Sequence, residues 1–421
     1  MNARRVAITG LGLVTSIGNH RHEVLASLRA GRSGIGIHPQ LESDLSPVRL
    51  AGMVKGFEFP SIHPQSWTWP EGTVIPREEL TLLCPHGVYA RVALEEAIAH
   101  AGWSEAILRD EETGLLTATG GSQFVNVLST QKVIRSGPLR INPATVAGAL
   151  PGGITYALNA AYGMRGASGG IVSACASSSQ AIGLAFDQIR AGRQKRMVVV
   201  GAEECDLYSI FPFASLRALT LSRDPTASPC AFDVARDGFA LTGGAAVLLL
   251  EEAGLVRERG GRALAEIAGW GWTSDGFSAT APEPGGRGIE RAMRQALAQA
   301  GLSPGEIDYV NAHATSTVAG DRSEALALSR LFAGCSPWIS STKSQTGHAL
   351  SMAGSLEAAL CVLAMENDLV PQNQNLRRPD PVTDGLRLAL RPERATLRCA
   401  LSNSSGFGGV NVSLLLRRPD R

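Results

Sequence analysis

Long apolar runs are missing from this chain. Stretches such as Ala245 to Leu250 are far too short to cross a bilayer. The beginning does not read as a secretion signal. Arg4 and Arg5 lead into Val6 to Val14, but Gly10 and Gly12 break that run, which reads as a first strand. An excess of one charge is missing too. The 39 Lys and Arg oppose 38 Asp and Glu, and a net charge of +1 excludes a globally basic nucleic-acid binder. The 7 cysteines are odd in number and show neither paired spacing nor a CxxC. That argues against a disulfide scaffold and for a reducing, cytoplasmic setting. Zinc-ligand spacing, a P-loop and the dinucleotide glycine fingerprint are all absent. Gly120-Gly121 is too little to cradle a phosphate and reads as a tight turn at a strand end. No low-complexity segment or long linker divides the chain.

What is present is an α/β pattern. At 421 residues and 44% hydrophobic content the chain can bury a sizeable core. Met197 to Gly201 and Ala245 to Leu250 are continuous apolar strands of the kind buried on both faces. Helices are expected over Gly288 to Ala300, Asp321 to Phe332 and Met352 to Glu366. A weak internal duplication is visible. Each half has a strand ending in a small-residue loop with a reactive side chain, followed by a helix. The boundary is expected near Ala253 to Gly261, giving halves of residues 1–254 and 255–421.

The most informative run is Ile171 to Ser179, where Cys175 stands among small residues. A helix should follow at once, from Ser177 to Ala191, with Gly192 as its stop. A thiol at a helix start feels the positive end of the dipole. Small neighbours would let a substrate carbonyl approach it, as a covalent nucleophile requires. The dipole alone is not enough: ~1 kcal/mol moves a pKa by ~0.7 unit, leaving the thiol mostly protonated at neutral pH. Most free cysteines are small buried hydrophobes, and the other six read that way. His313 follows Ile307 to Val310, and His348 follows Trp338 to Thr342. Among 8 histidines, only these two end a strand in a small polar loop rich in hydroxyls.

Taken in order, these motifs resemble the elongating β-ketoacyl-[acyl-carrier-protein] synthases. The resemblance runs almost the full length. It is carried by Arg5 to Gly12, Ser173-Ala174-Cys175, Asp233 to Phe239, the loops of His313 and His348, and Asn403 to Asn411. It implies the thiolase fold, with two duplicated halves in a five-layered α-β-α-β-α sandwich. It implies an acyltransferase that joins an acyl chain on Cys175 to malonyl-carrier protein by decarboxylative Claisen condensation, as in fatty acid synthesis. Cys175 would be the nucleophile. His313 and His348 would donate to the enolate of the malonyl stage, and Lys343 would hold the electrostatic balance of the pair. The amides of Cys175 and Phe407 would form the oxyanion hole. Thr315 and Thr317 would bind the phosphopantetheine amides. Asn311, Glu357 and Ser402 would form a buried structural cation or hydrogen-bond site. No separate cofactor and no catalytic metal are implied, since the phosphopantetheine arrives on the carrier.

The departures bear on substrate and partner. Ser405 stands where the resemblance places a gating phenylalanine, which predicts a wider, wetter, ungated mouth at the acyl-cysteine. Pro60 to Gly72, with Trp67 and Trp69, reads as an insertion near the usual dimer and carrier surface. Arg77 keeps one basic docking position, while Glu78 and Thr81 replace usually basic residues. With Lys132, Arg135 and Arg140, Arg77 would dock an acidic acyl carrier protein. A homodimer is expected, or a heterodimer with a related subunit. One alternative keeps the chemistry but serves a type II polyketide, aryl-polyene or specialised-lipid pathway. Another is a non-catalytic chain-length partner, which the presence of Cys175, His313, Lys343 and His348 opposes. A thiolase is disfavoured because the loop Gly406 to Asn411 carries no second cysteine.

Overall fold

The computed structural model describes residues 4–80 and 82–419, so Thr81 lies outside the described residues. Its frame is one twisted sheet made of two repeats. In the first repeat the strands are β1 (Val6–Val14), β2 (Thr113–Ala118), β3 (Ser168–Gly170), β4 (Arg196–Glu203) and β5 (Gly244–Glu252). In the second they are β6 (Ala265–Ser274), β7 (Tyr309–Asn311), β8 (Trp338–Ser340), β9 (Cys399–Gly406) and β10 (Val410–Arg417). The spatial orders are 3-2-4-5-1 and 8-7-9-10-6, the same permutation twice. The short strand Arg387–Leu388 extends the second repeat beyond β8. Pairing senses repeat as well. The three strands of each repeat that end near the reactive loops run parallel, and the other two pair antiparallel. The repeats meet where β1 pairs β6 from Val6 to Ile8.

Helices complete five layers. Helix α1 (Pro85–Ala101) covers one face of the first repeat, and α2 (Gln123–Ser136) follows β2. Helices α3 (Ser177–Arg190) and α7 (Ala353–Glu366) fill the middle, packed in one core with β1, β5, β6 and β10. Helix α4 (Leu207–Ser215) follows β4. Helices α5 (Arg287–Ala300) and α6 (Val318–Leu331) cover the outer face of the second repeat. The architecture is the α-β-α-β-α sandwich of the thiolase fold.

The local causes are those expected from sequence. Every residue of β1 and β4 is buried, as are Gly244 to Glu251 of β5, because helices cover both faces. Helix α3 ends at Arg190, and Gly192 then takes a left-handed φ of +72°, open to glycine without strain. Helix α7 is buried nearly all round, so its face pattern is weak. No helix among the described residues is long and apolar enough to cross a membrane. The tryptophan segment does not reach the Cys175 mouth. Trp67 is buried against Phe59 with ring centroids 5.4 Å apart, and Phe59 packs on Tyr89 of α1. Its indole must bury apolar area, and α1 offers the nearest uncovered surface.

Candidate active site

Strand β3 ends at Gly170, earlier than the apolar run suggested, and residues 171–176 form an irregular turn into α3. Ala174 holds φ +48°, a strained value for a residue with a Cβ. The Ser177 hydroxyl braces the turn, accepting from the Ser173 amide (2.7 Å) and donating to the Ala174 carbonyl (2.6 Å). The turn holds Cys175 two residues before α3, facing the start of the helix dipole.

The two histidines converge on that thiol from the second repeat. His313 follows β7. His348 follows a single helical turn, Lys343–Thr346, which lies between β8 and the histidine. His348 Nε2 lies 3.1 Å from Cys175 Sγ. The imidazole rings are edge to face, with centroids 5.4 Å apart. One ligand atom from each of Cys175, His313 and His348 falls within 4.8 Å of the others. Phe239 from the Asp233 to Phe239 motif packs edge-on to His348 at 4.9 Å. Arg236 from the same motif anchors the threonine loop, donating to the carbonyls of Thr317 and Val318 and to Asp380.

Burial dominates the electrostatics. It pushes the Cys175 thiol up to about 12, against the opposing pull of the Lys343 ammonium. Burial also holds both imidazoles well below their usual range, with Lys343 adding to the effect. The site at rest therefore contains a thiol and two neutral imidazoles. Lys343 is buried, 3% exposed in its side chain, and forms an ion pair with the equally buried Glu357. Burial raises Glu357 to about 7 despite that partner. Glu357 thus belongs with Lys343 first. Asn311 Oδ1, Ser402 Oγ and Glu357 Oε2 nonetheless remain buried with no hydrogen-bond partner among the described residues, and Asn311 and Ser402 are register partners.

Cys175 stands where two cavities meet. One, about 400 Å³, runs from the thiol past Gly120, Glu203, Tyr208 and Phe213. The other, about 310 Å³, is lined by His313, His348, Thr315, Thr317 and Ser405. Phe407 lines both cavities and lies 6.3 Å from the Phe213 ring. The Phe407 ring thus stands beside Ser405 in the lining of the mouth. The Ser405 hydroxyl is turned aside, donating to Asn411 Oδ1 at 2.7 Å, while Asn411 Nδ2 donates to Asp275. Gly406 presses against the nucleophile turn, and a Cβ there would lie 3.1 Å from the Cys175 amide. No backbone carbonyl among the described residues accepts from the amide of Cys175 or of Phe407.

Two carboxylates escaped the sequence reading. Glu324 on α6 accepts from the amides of His313 (3.0 Å) and Ala314 (2.7 Å) and from Asn403 (3.0 Å), so it sets the His313 loop. Glu203 ends β4 and accepts from Gly120 and Ser351, tying both walls of the acyl-side cavity together. Its signal in the sequence was an acidic pair, Glu203-Glu204, closing the apolar run Met197 to Ala202. Of the expected docking positions, Arg77, Arg135 and Arg140 are exposed and Lys132 is half-buried.

The beta-ketoacyl synthase N-terminal domain model matches residues 3–254, and the C-terminal domain model matches residues 264–377. The chain belongs to the β-ketoacyl synthase family. It is an acyltransferase of the condensing type. A 3-oxoacyl-[acyl-carrier-protein] synthase 1 from Haemophilus influenzae is 36% identical across 99% of both chains. A beta-ketoacyl synthase crystal structure from Burkholderia phymatum superposes with a TM-score of 0.91 at 33% identity, covering 99% of this chain and all of that one. A type II PKS ketosynthase solved with its acyl-carrier protein has a TM-score of 0.86 at 26% identity, covering all of both chains.

Proposed function

We propose that this β-ketoacyl synthase extends carrier-bound acyl chains by decarboxylative condensation with malonyl-carrier protein, the 3-oxoacyl-[acyl-carrier-protein] synthase reaction of fatty acid synthesis. One observation carries the reading: the Cys175 thiol lies at the junction of two cavities with His348 Nε2 3.1 Å away and His313 beside it.

In the first stage an acyl thioester enters with its chain in the cavity of Gly120 and Glu203 and its pantetheine arm along Thr315 and Thr317. His348 takes the thiol proton as Sγ attacks the carbonyl carbon. The negative oxygen is held by the amides of Cys175 and Phe407. The carrier thiolate leaves and takes the proton. In the second stage malonyl-carrier protein loses carbon dioxide. The negative oxygen of its enolate accepts N–H donors from the two neutral imidazoles. The enolate carbon attacks the acyl-cysteine, and the Cys175 sulfur leaves as a thiolate that takes up a proton from solvent to restore the resting thiol. Lys343 pairs with Glu357 and adds to the burial that keeps both imidazoles neutral. The Cys175, His313 and His348 ligand atoms cluster closely enough for a metal, and the Lys343 ammonium opposes a dication there.

Asn311, Ser402 and Glu357 are assigned to a buried cation or hydrogen-bond site. Three unpartnered oxygens suit a hard cation or a donor group. A second copy of the chain is assigned to the open edge at β3, where Val172, two residues on, is an exposed apolar residue. The test of the core reading is Cys175→Ala. Intact mass after incubation with acyl-carrier protein should show one acyl group on the wild type and none on the variant. Acylation of the variant at another residue would sink the assignment.

A further inference from the structure

Beyond the acyl-side cavity lies a larger one, about 720 Å³, and the two share Glu204 and Tyr208 as common wall. Five rings line the larger chamber: Phe57, Phe59, Tyr89, Phe124 and Tyr208. In a chain with only 5% aromatic residues, this is a concentration that core packing alone does not require. The rings are mutually fixed. Phe57 and Phe59 both meet Tyr89 edge-on, at 4.9 and 5.4 Å, and Trp67 braces Phe59 from behind. The tryptophan segment builds this roof by folding back on itself. Glu58 and Thr68 exchange backbone hydrogen bonds of 3.0 and 3.1 Å, and the Trp67 indole donates to the Ser61 carbonyl.

The carboxylates at and beside the shared wall are already engaged. Glu204 is held by His86 and Ser122, both at 2.9 Å. The Asp206 carboxylate accepts from the amides of Tyr208 and Ser209. What remains free in the partition is the Tyr208 ring, 5.9 Å from Phe124.

We propose that this chamber receives the far end of an acyl chain attached to Cys175, and that it favours flat, unsaturated or aryl-ended chains over saturated ones. The inference rests on the reading of Cys175 as the acyl-bearing nucleophile. The two cavities adjoin across Glu204 and Tyr208, and the route opens where the Tyr208 ring moves aside. Fixed ring edges and faces pair with a π-system in ways they cannot with a methylene chain. A rigid chain also loses less conformational freedom on entering.

Val54 and Leu128 line the chamber but not the acyl-side cavity. In Val54→Trp and Leu128→Trp an indole should fill the chamber. Wild type and variants are loaded with two carriers, one bearing a short saturated acyl group and one a long polyenoyl group. Loading of Cys175 is followed by intact mass. The long-to-short ratio should fall roughly tenfold in the variants, the scale of an overpacking penalty. An unchanged ratio overturns the proposal. So does a saturated chain of equal length loading the wild type as fast as the polyenoyl chain. If the wild type loads neither carrier, the ketosynthase reading fails instead. A second measurement stands even if the variants misfold. A chain carrying a terminal diazirine, loaded on the wild type and irradiated, should label Phe124 or Tyr89. Label confined to Pro212 and Phe213 overturns the chamber.

Discussion

A methyl group added at Gly406 would meet the nucleophile turn. An ideal Cβ there lies 2.5 Å from the Ser173 carbonyl oxygen, 3.1 Å from the Cys175 amide nitrogen and 3.3 Å from Ala174 Cβ. Two of these are backbone atoms and none is a flexible side-chain tip, so the turn or the end of β9 must move. Gly406 is not in the left-handed region, so the cost is steric. Overpacking of this kind costs ~1–3 kcal/mol. A misplacement of ~1 Å at a reacting group costs ~100-fold, and a shift of a few tenths should cost roughly tenfold in kcat/KM for acyl loading. Gly408→Ala is the matched control. Gly408 has φ +84° with nothing within 4 Å of a new Cβ, so alanine there costs ~1–2 kcal/mol of backbone strain without touching Cys175. The two variants should lose comparable thermal stability, yet only Gly406→Ala should lose the greater part of its loading rate. Melting curves and time-resolved intact mass measure both quantities. If Gly406→Ala loads at the wild-type rate, or Gly408→Ala is equally slow, close approach at Gly406 does not position the thiol.

Other substitutions separate the remaining roles. His313→Ala should keep acyl loading and lose malonyl decarboxylation by ~10²–10³-fold, whereas His348→Ala should slow both because it also contacts the sulfur. Equal carbon dioxide release from all three proteins would refute this. Lys343→Met leaves Glu357 buried without its cation, at a cost of ~3–5 kcal/mol. Removing Lys343 removes what lowers Glu357, so the folded-state value rises further above the unfolded one. An acid raised by folding destabilises the fold as pH climbs past its unfolded value. The melting temperature of Lys343→Met should therefore fall relative to wild type as pH climbs past about 7, where Glu357 ionises in the wild type but not in the variant, and Glu357→Gln in the same chain should abolish that trend. A pH-independent difference would refute the pairing. Charge reversal at Arg135 and Arg140 should raise KM for acyl-carrier protein at low salt, with the difference vanishing at high salt. A KM flat across ionic strength would refute docking there.

Much of the site was legible because its signals are short-range. The strand-to-helix passage at Cys175, the stop at Gly192 and the loops of the two histidines follow from apolar periodicity and runs of small residues. Sequence motifs also carried the family, since Ser173 to Cys175, Asp233 to Phe239 and Asn403 to Asn411 keep their order. The surroundings of Ser405 were not legible for the opposite reason, since its hydroxyl meets Asn411 only when the β9–β10 hairpin closes. Glu324 was missed because its partners, the His313 and Ala314 amides, are reached only when α6 folds back over β7.

By itself, then, the sequence determined the local geometry of each reactive residue, the alternation of strand and helix, and the near balance of charge. These depend on neighbours within a few positions. Tertiary structure alone decided that Cys175, carried by one repeat, meets His313 and His348 from the other. It also decided that Lys343 is a buried member of an ion pair and that Trp67 supports a chamber wall rather than a surface. Those outcomes arise where sheets and helices distant in sequence close on one another. There burial, not local pattern, sets which groups stay neutral and which must find a partner.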